Sequence, residues 1–212
     1  MTDRIEVLTH SSIRIKSEAG TIYLDPFHIA EEAHDADYIL VTHDHFDHFS
    51  PEDIAKIAKE DTILVVPEKM AAKAQEVSDR VSRIETVAQS GAYKVKDLSF
   101  ETIPAYNVLK PFHPKGAGWV GYILNLGEDR IYIAGDTDAT KENKAVQCDI
   151  ALIPIGGTYT MDAKQAAGLI NTIRPKVAIP THYGTVVGKK DDAAAFAKLV
   201  EEPVKVEIKM QN

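Results

Sequence analysis

The 212-residue chain contains a single cysteine, Cys148. No internal disulfide can form, which fits a reducing cytosol and excludes a disulfide-stapled scaffold. A nucleophilic thiol needs a base beside it, and none is identifiable around Cys148, so the expectation is a buried, inert thiol. No apolar run is long enough to cross a bilayer, and the stretch from Met1 to Glu6 lacks the apolar core of a secretory signal. A cytoplasmic protein is the expectation. Basic residues are outnumbered, with 24 Lys and Arg against 32 Asp and Glu and a net charge of −8. That balance argues against general binding to nucleic acid backbones. No linker, low-complexity tract or charge run marks a boundary within the chain. The rest is ordinary for a globular protein, with 44% hydrophobic and 26% charged residues. The length suits one domain, residues 1–212, with a sizeable core.

The chain is organised around Asp37 to His48. It begins as an apolar, β-prone run, Tyr38 to Val41, which predicts a buried strand. It ends in His43, His45 and His48 with Asp44 and Asp47 between them. Three of the eight histidines thus fall within six residues. Imidazole nitrogens with carboxylate oxygens are what a divalent metal such as zinc takes. While the strand is extended, His43 and His45 point to the same side. A turn just beyond brings Asp47 and His48 to a second point close by. Two ligand pairs from one loop suit two adjacent metals better than one closed cage.

Short strands are expected at Ile5–Leu8, Ile13–Lys16 and Thr21–Leu24, a meander that ends in Asp25-Pro26. After the metal loop, Ser50-Pro51-Glu52-Asp53 reads as a helix start, with the helix running to Lys59. A strand at Thr62–Val66, a helix from Pro67 to Val77 and strands at Ile84–Val87 and Leu98–Ile103 follow. Pro104 to Gly118 is a long loop, and loops of that length in compact enzymes are usually functional. Strands at Trp119–Leu126, Arg130–Ala134 and Asp149–Pro154 precede a helix from Asp162, with Gln165 completing a capping box, to Ile173. Lys176–Ile179 is a buried strand. Asp191–Val200 is a final helix and Pro203–Ile208 a closing strand. Gly135 before Asp136 lets that carboxylate approach a metal; the alternative is an ordinary loop or cap aspartate. Gly156-Gly157 lets the backbone come close to a neighbour. His28 and His34 read as surface residues. Composition supports a mixed α/β layered fold.

The pattern His43-x-His45-x-Asp47-His48 resembles the signature of the metallo-β-lactamase-fold hydrolases. The resemblance runs from the meander to His182. It implies a four-layer αββα sandwich, two mixed sheets with helices outside, with no room for an added substrate domain. In that family the two histidines of the motif bind one metal and the Asp-His pair binds the second. The resemblance implies that Asp136 bridges the metals and that His182 completes the second site. Many relatives place a metal-binding histidine where Ala105, Tyr106 and Asn107 stand. His113 is the only histidine in that loop and is expected to take over the third place on the first metal; contact with substrate is the alternative. Family members commonly carry Asp-Pro at Asp25, whose carboxylate orients a ligand histidine; a plain turn residue is the alternative. Related hydrolases often carry Gly-His-Ser where this chain has Thr9-His10-Ser11, which puts His10 at the rim of the site. Tyr106, Tyr159 and Tyr183 lie beside these residues as donors to a developing oxyanion or as packing. Lys115 is placed to meet an anionic group or is simply solvated.

Two metals roughly 3.5–4 Å apart share a water and lower its pKa towards about 7, giving the hydroxide nucleophile. Asp136 would hold the metals together and Asp47 would also steer the hydroxide. The expected cofactors are two divalent ions, zinc first, manganese or iron otherwise. The expected reaction is hydrolysis of an ester, lactone or phosphodiester bond of a small substrate. The resemblance points to small hydrolases akin to phosphorylated-ascorbate lactonases and N-acyl phosphatidylethanolamine phospholipase D. A β-lactamase is disfavoured because no export signal is seen, and an RNA nuclease by the acidic charge. An iron-dependent oxidoreductase on the same fold is the first alternative. His45 argues against it, because di-iron relatives usually have glutamate there. A non-catalytic metal-binding or sensor protein is the second. Self-association into a homo-oligomer is left open.

Overall fold

The strands form two sheets, each combining strands of polar–apolar alternation with strands of continuous apolar residues. The computed structural model describes residues 1–210. In the first sheet β1 (Ile5–Thr9), β2 (Ser12–Ser17) and β3 (Gly20–Leu24) form an antiparallel meander. β4 (Ala36–Leu40), β5 (Ala58–Pro67) and β6 (Arg83–Val87) extend it in parallel, in the order β1-β2-β3-β4-β5-β6. The second sheet repeats the scheme. β7 (Ala92–Val95), β8 (Leu98–Pro104), β9 (Val120–Leu126) and β10 (Asp129–Ile133) are antiparallel. β11 (Ile150–Pro154), β12 (Val177–Thr181) and β13 (Lys205–Val206) follow in parallel.

Side chains on alternate strand positions point to opposite faces. Ile13, Ile15, Ile22 and Leu24 therefore pack with Phe100, Tyr122, Leu124 and Ile133 between the sheets. The residues between them face outward. Tyr23, Ile39, Leu64 and Val66 lie under α1 (Pro51–Ile57) and α2 (Ala71–Ala74). Ile123, Tyr132, Ala151 and Ile153 lie under α3 (Ala163–Ile173) and α4 (Asp192–Leu199). Parallel strands buried on both faces explain the unbroken apolar runs in β4, β5 and β11. The result is the four-layer αββα sandwich, two mixed sheets with helices outside.

The helix starts behave as their caps predict. The Ser50 hydroxyl accepts the Asp53 N–H, and Asp162 and Gln165 form a reciprocal capping box. The strand β7 is not expected from the sequence, and three further elements differ in length. The first helix stops at Ile57, because Ala58 turns extended and pairs with Ala36. The helix expected from Pro67 to Val77 breaks into the single turn of α2 flanked by 3-10 turns. It has no side-chain cap, and a helix this short gains little from its own hydrogen bonds. The closing strand shrinks to β13, which pairs only with the first two residues of β12.

Cys148 is half-buried two residues before β11. Burial, with Asp149 beside it, pushes its thiol up to about 12. The folded protein is therefore expected to react with iodoacetamide at neutral pH about a hundredfold or more slowly than the denatured chain, because only thiolate attacks. Mass spectrometry of timed samples reads this directly; equal rates in both states would contradict the assigned burial.

Candidate metal centre

Every element of the site sits at a strand end. His10 follows β1, Asp25 follows β3, and Thr42 to His48 follow β4. The long loop follows β8, Asp136 follows β10, and His182 follows β12. The seam between the sheets is closed here by hydrogen bonds. The His182 N–H donates to the His10 carbonyl (2.9 Å) and the Val120 N–H to the Thr42 carbonyl (3.2 Å). The Tyr122 hydroxyl donates to the Val41 carbonyl at 2.8 Å. His10, Asp25 and His182 all adopt left-handed backbone, with φ of 50°, 47° and 57°. Such strain in non-glycine residues persists where the surroundings hold it, as at functional sites. Gly156 is required for the approach to His182: a Cβ there would lie 2.2 Å from the His182 carbonyl oxygen.

Asp136 is the geometric centre. Its Oδ2 lies 3.1 Å from His182 Nε2, 3.2 Å from His113 Nε2 and 3.9 Å from His43 Nε2. Its Oδ1 lies 3.3 Å from His48 Nε2. Around it the donors fall into overlapping groups, each with its ligand atoms within 4.8 Å of one another. His43, His45 and His113 form one; His10, Asp47, His48 and His182 form another; His43, His48 and Asp136 span the two.

A second ring of contacts fixes these side chains. Asp25 Oδ2 lies 2.7 Å from His48 Nδ1. Its carboxylate also accepts the Thr42 N–H and hydroxyl, both at 2.7 Å. His48 Nε2 is thereby left facing Asp136. The Asn107 Oδ1 accepts the His113 ring N–H at Nδ1 (2.9 Å) and its backbone N–H (3.1 Å). His113 Nε2 is then the free acceptor, aimed inward. Asn107 Nδ2 in turn donates to the Tyr159 carbonyl at 2.9 Å. His10 Nε2 lies 3.1 Å from Asp47 Oδ2, and its Nδ1 lies 2.9 Å from the Thr185 hydroxyl. The Trp119 ring packs against His43, His45 and His113, with ring centres 5.1, 4.9 and 5.5 Å away.

The electrostatics are set by burial and crowding. Burial pushes the His43 and His45 imidazoles down, and neighbouring histidines add to it. Burial holds His10 down at about 4. Burial would raise Asp136, but His182 and His48 outweigh it and hold the carboxyl well below its usual range. Burial would likewise raise Asp47, but the bond to His10 and the neighbouring His182 and His48 imidazoles overcome it. Burial would lower His48 and His182, but Asp136 together with Asp25 at His48, and Asp136 together with Asp47 at His182, moves both up.

Several buried atoms here lack a hydrogen-bond partner: His48 Nε2, His113 Nε2, both His182 ring nitrogens and Asp136 Oδ1. Unpaired buried polar atoms are costly and rare. Nitrogens and oxygens converging on common points are what a divalent ion satisfies, so the residues fit a metal.

His43, His45, Asp47, His48, His113, Asp136 and His182 are brought together, with Asp25 and His10 beside them. Tyr159 lies at the pocket over them. Three others are placed elsewhere. Tyr183 is buried in the outer apolar layer with Phe196 and Ile170. The Tyr106 hydroxyl donates to Glu142 at 2.7 Å, and Lys115 pairs with the same carboxylate at 2.6 Å. His28 and His34 are exposed. Thr42, Asn107, Trp119 and Thr185 escaped sequence reasoning. Asn107 had one signal, its position where relatives carry a ligand histidine.

Asn107→Ala is expected to weaken metal binding by about 10–100-fold, the usual effect of removing a partner that orients a ligand histidine. Metal titration against a chelating dye measures it, and an unchanged affinity would remove Asn107 from the site.

Histidines and carboxylates from both sheets, converging at the strand ends of an αββα sandwich, define a metal-dependent hydrolase of the metallo-β-lactamase fold. The profile of a β-lactamase superfamily domain matches residues 4–182. The chain is 31% identical to the UPF0173 metal-dependent hydrolase of Methanopyrus kandleri, over 94% of this chain and 92% of that one. It is 33% identical to that of Symbiobacterium thermophilum, over 94% and 92%. A crystal structure from Parabacteroides distasonis superposes with a TM-score of 0.81 at 28% identity, covering 98% of this chain and 93% of that chain. The chain belongs to the β-lactamase superfamily, among its UPF0173 metal-dependent hydrolases.

Proposed function

We propose that the protein is a binuclear hydrolase that cleaves an ester, lactone or phosphodiester bond of a small substrate. The observation that carries it is the pair of donor groups sharing one carboxylate. His43, His45 and His113 lie on one side of Asp136, and Asp47, His48 and His182 on the other. Two divalent ions held by these residues, zinc from this nitrogen and oxygen set, would supply Lewis acidity and lower the pKa of a water towards about 7. Asp136 sets the spacing of the two groups. Asp47 orients the attacking water, and His10, backed by Thr185, orients Asp47. Asp25 and Asn107 hold His48 and His113 with one ring nitrogen turned inward. Trp119 packs over three of the histidines and keeps bulk water off that side.

Elemental analysis of the purified protein, with bis-p-nitrophenyl phosphate and p-nitrophenyl acetate assayed in parallel, tests this. The expected result is about two metals per chain, with turnover lost on chelation and restored by zinc. A single, redox-active iron without hydrolysis would replace this reading by the oxidoreductase one.

A further inference from the structure

Above the metal centre lies a pocket of about 470 Å³, with His113 and Asp136 at its floor. That is the size of a small-molecule site. Its walls are apolar, and each comes from a different loop. Phe46 belongs to the loop after β4, Phe112 to the long loop after β8, Tyr159 to the loop after β11, and Val186 to the loop after β12. Phe46 is 67% exposed and Phe112 and Val186 are each 41% exposed. The Phe112 and Tyr159 rings meet edge to face at 4.7 Å. Four loops each placing an apolar side chain around one opening is not the scatter of single exposed hydrophobics seen on any surface.

The charge around the pocket is equally informative. No lysine or arginine lines it among the described residues. Three lysines on the surrounding loops are engaged elsewhere: Lys110 with Asp138 at 2.6 Å and with the Thr160 carbonyl, Lys115 with Glu142, and Lys73 with the Asp44 carbonyl; Lys189 and Lys190, on the loop that carries Val186, do not line the pocket. The two carboxylates at the opening, Asp47 and Asp136, belong to the metal donor set, so the apolar walls and not a free charge set the character of the pocket. A phosphorylated substrate would meet the metal ions alone and no cationic side chain, whereas phosphate sites ordinarily add arginine, lysine or a helix N-terminus.

We propose that the substrate is an uncharged carboxylic ester or lactone carrying an apolar acyl or alkyl group, which lies among Phe46, Phe112, Tyr159 and Val186. This rests on the hydrolase reading above and narrows it. A water oxygen adds to the carbonyl carbon, the carbon–oxygen single bond breaks, and the leaving oxygen takes a proton. The products are an acid and an alcohol, or one hydroxy acid from a lactone.

The test is a series of p-nitrophenyl esters from acetate through butyrate and hexanoate to octanoate. Rates are taken with the metal-loaded protein and corrected for the chelated protein. Burial of one methylene is worth about fourfold. The expected result is a rise in kcat/KM of at least about tenfold from acetate to hexanoate. Phe112→Ala and Val186→Ala should each reduce the ratio of hexanoate to acetate kcat/KM at wild-type metal content. That ratio is insensitive to the fraction of folded enzyme. A flat series, or bis-p-nitrophenyl phosphate turned over better than every ester, overturns the apolar-substrate assignment and leaves the hydrolase reading standing. A protein holding two metals that turns over none of these compounds overturns the hydrolase reading and this inference with it.

Discussion

Asp136→Ala is expected to empty both metal positions together and to reduce hydrolysis by well over about a hundredfold, beyond the range for residues that merely orient a ligand. The reason is its position. Among the described residues no other carboxylate lies within 3.9 Å of ring nitrogens from both donor groups. It follows Gly135, whose left-handed φ of 63° turns the chain at the end of β10. The side chain is buried among four imidazoles, so its loss leaves histidines facing one another with no anion between them. Asp136→Asn keeps the shape and removes the charge, and should fail almost as badly, which separates electrostatics from packing. Elemental analysis beside kcat measures both. An Asp136→Ala protein that still holds two metals would show that the groups are independent.

His113→Ala should act differently. It removes one member of the His43, His45 and His113 group and leaves the Asp47, His48 and His182 group whole. The expected protein holds about one metal and has lost hydrolysis of both test substrates, since a two-metal clamp works only as a pair. Exogenous imidazole should restore part of the activity by occupying the vacated space beside Asn107 and Trp119. If metal content is unchanged, His113 belongs to the substrate, and the first group must be completed otherwise.

Much of the site was legible because its chemistry is local. His43, His45, Asp47 and His48 lie on one loop after one apolar strand. Asp136 and His182 each follow another strand, and it is the family resemblance that assigns them to the same site. The unread part depends on contacts that no spacing encodes. Thr185 reaches His10 across 175 residues. Asn107 meets His113 only because their loop doubles back, with the Asn107 N–H on the His113 carbonyl. Trp119 looked like the first residue of a strand, which in fact begins at Val120. Tyr183 adjoins His182 but points to the opposite face, into the helix-covered layer. Tyr106 and Lys115 flank candidate ligands in sequence, yet Glu142 takes them both. The fold followed the same division. Caps and apolar periodicity located α1, α3 and most strands, whereas the Pro67–Val77 segment, rich in helix formers, is held by burial of Met70, Ala74 and Val77 rather than by helical continuity.

The seam between the sheets divides the donors. Residues before β7 supply His10, Asp25, His43, His45, Asp47 and His48, and residues after it supply His113, Asp136 and His182. Neither half carries the whole donor set. A polypeptide cut in the turn between β6 and β7 would yield two fragments, each with an incomplete set of donors. Metal would then act as the glue of a complementation pair, adding about 2.7 kcal/mol when free metal stands a hundredfold above its dissociation constant. Recovered turnover would count reassembled molecules, making the active site a gauge of whether the two halves have found each other.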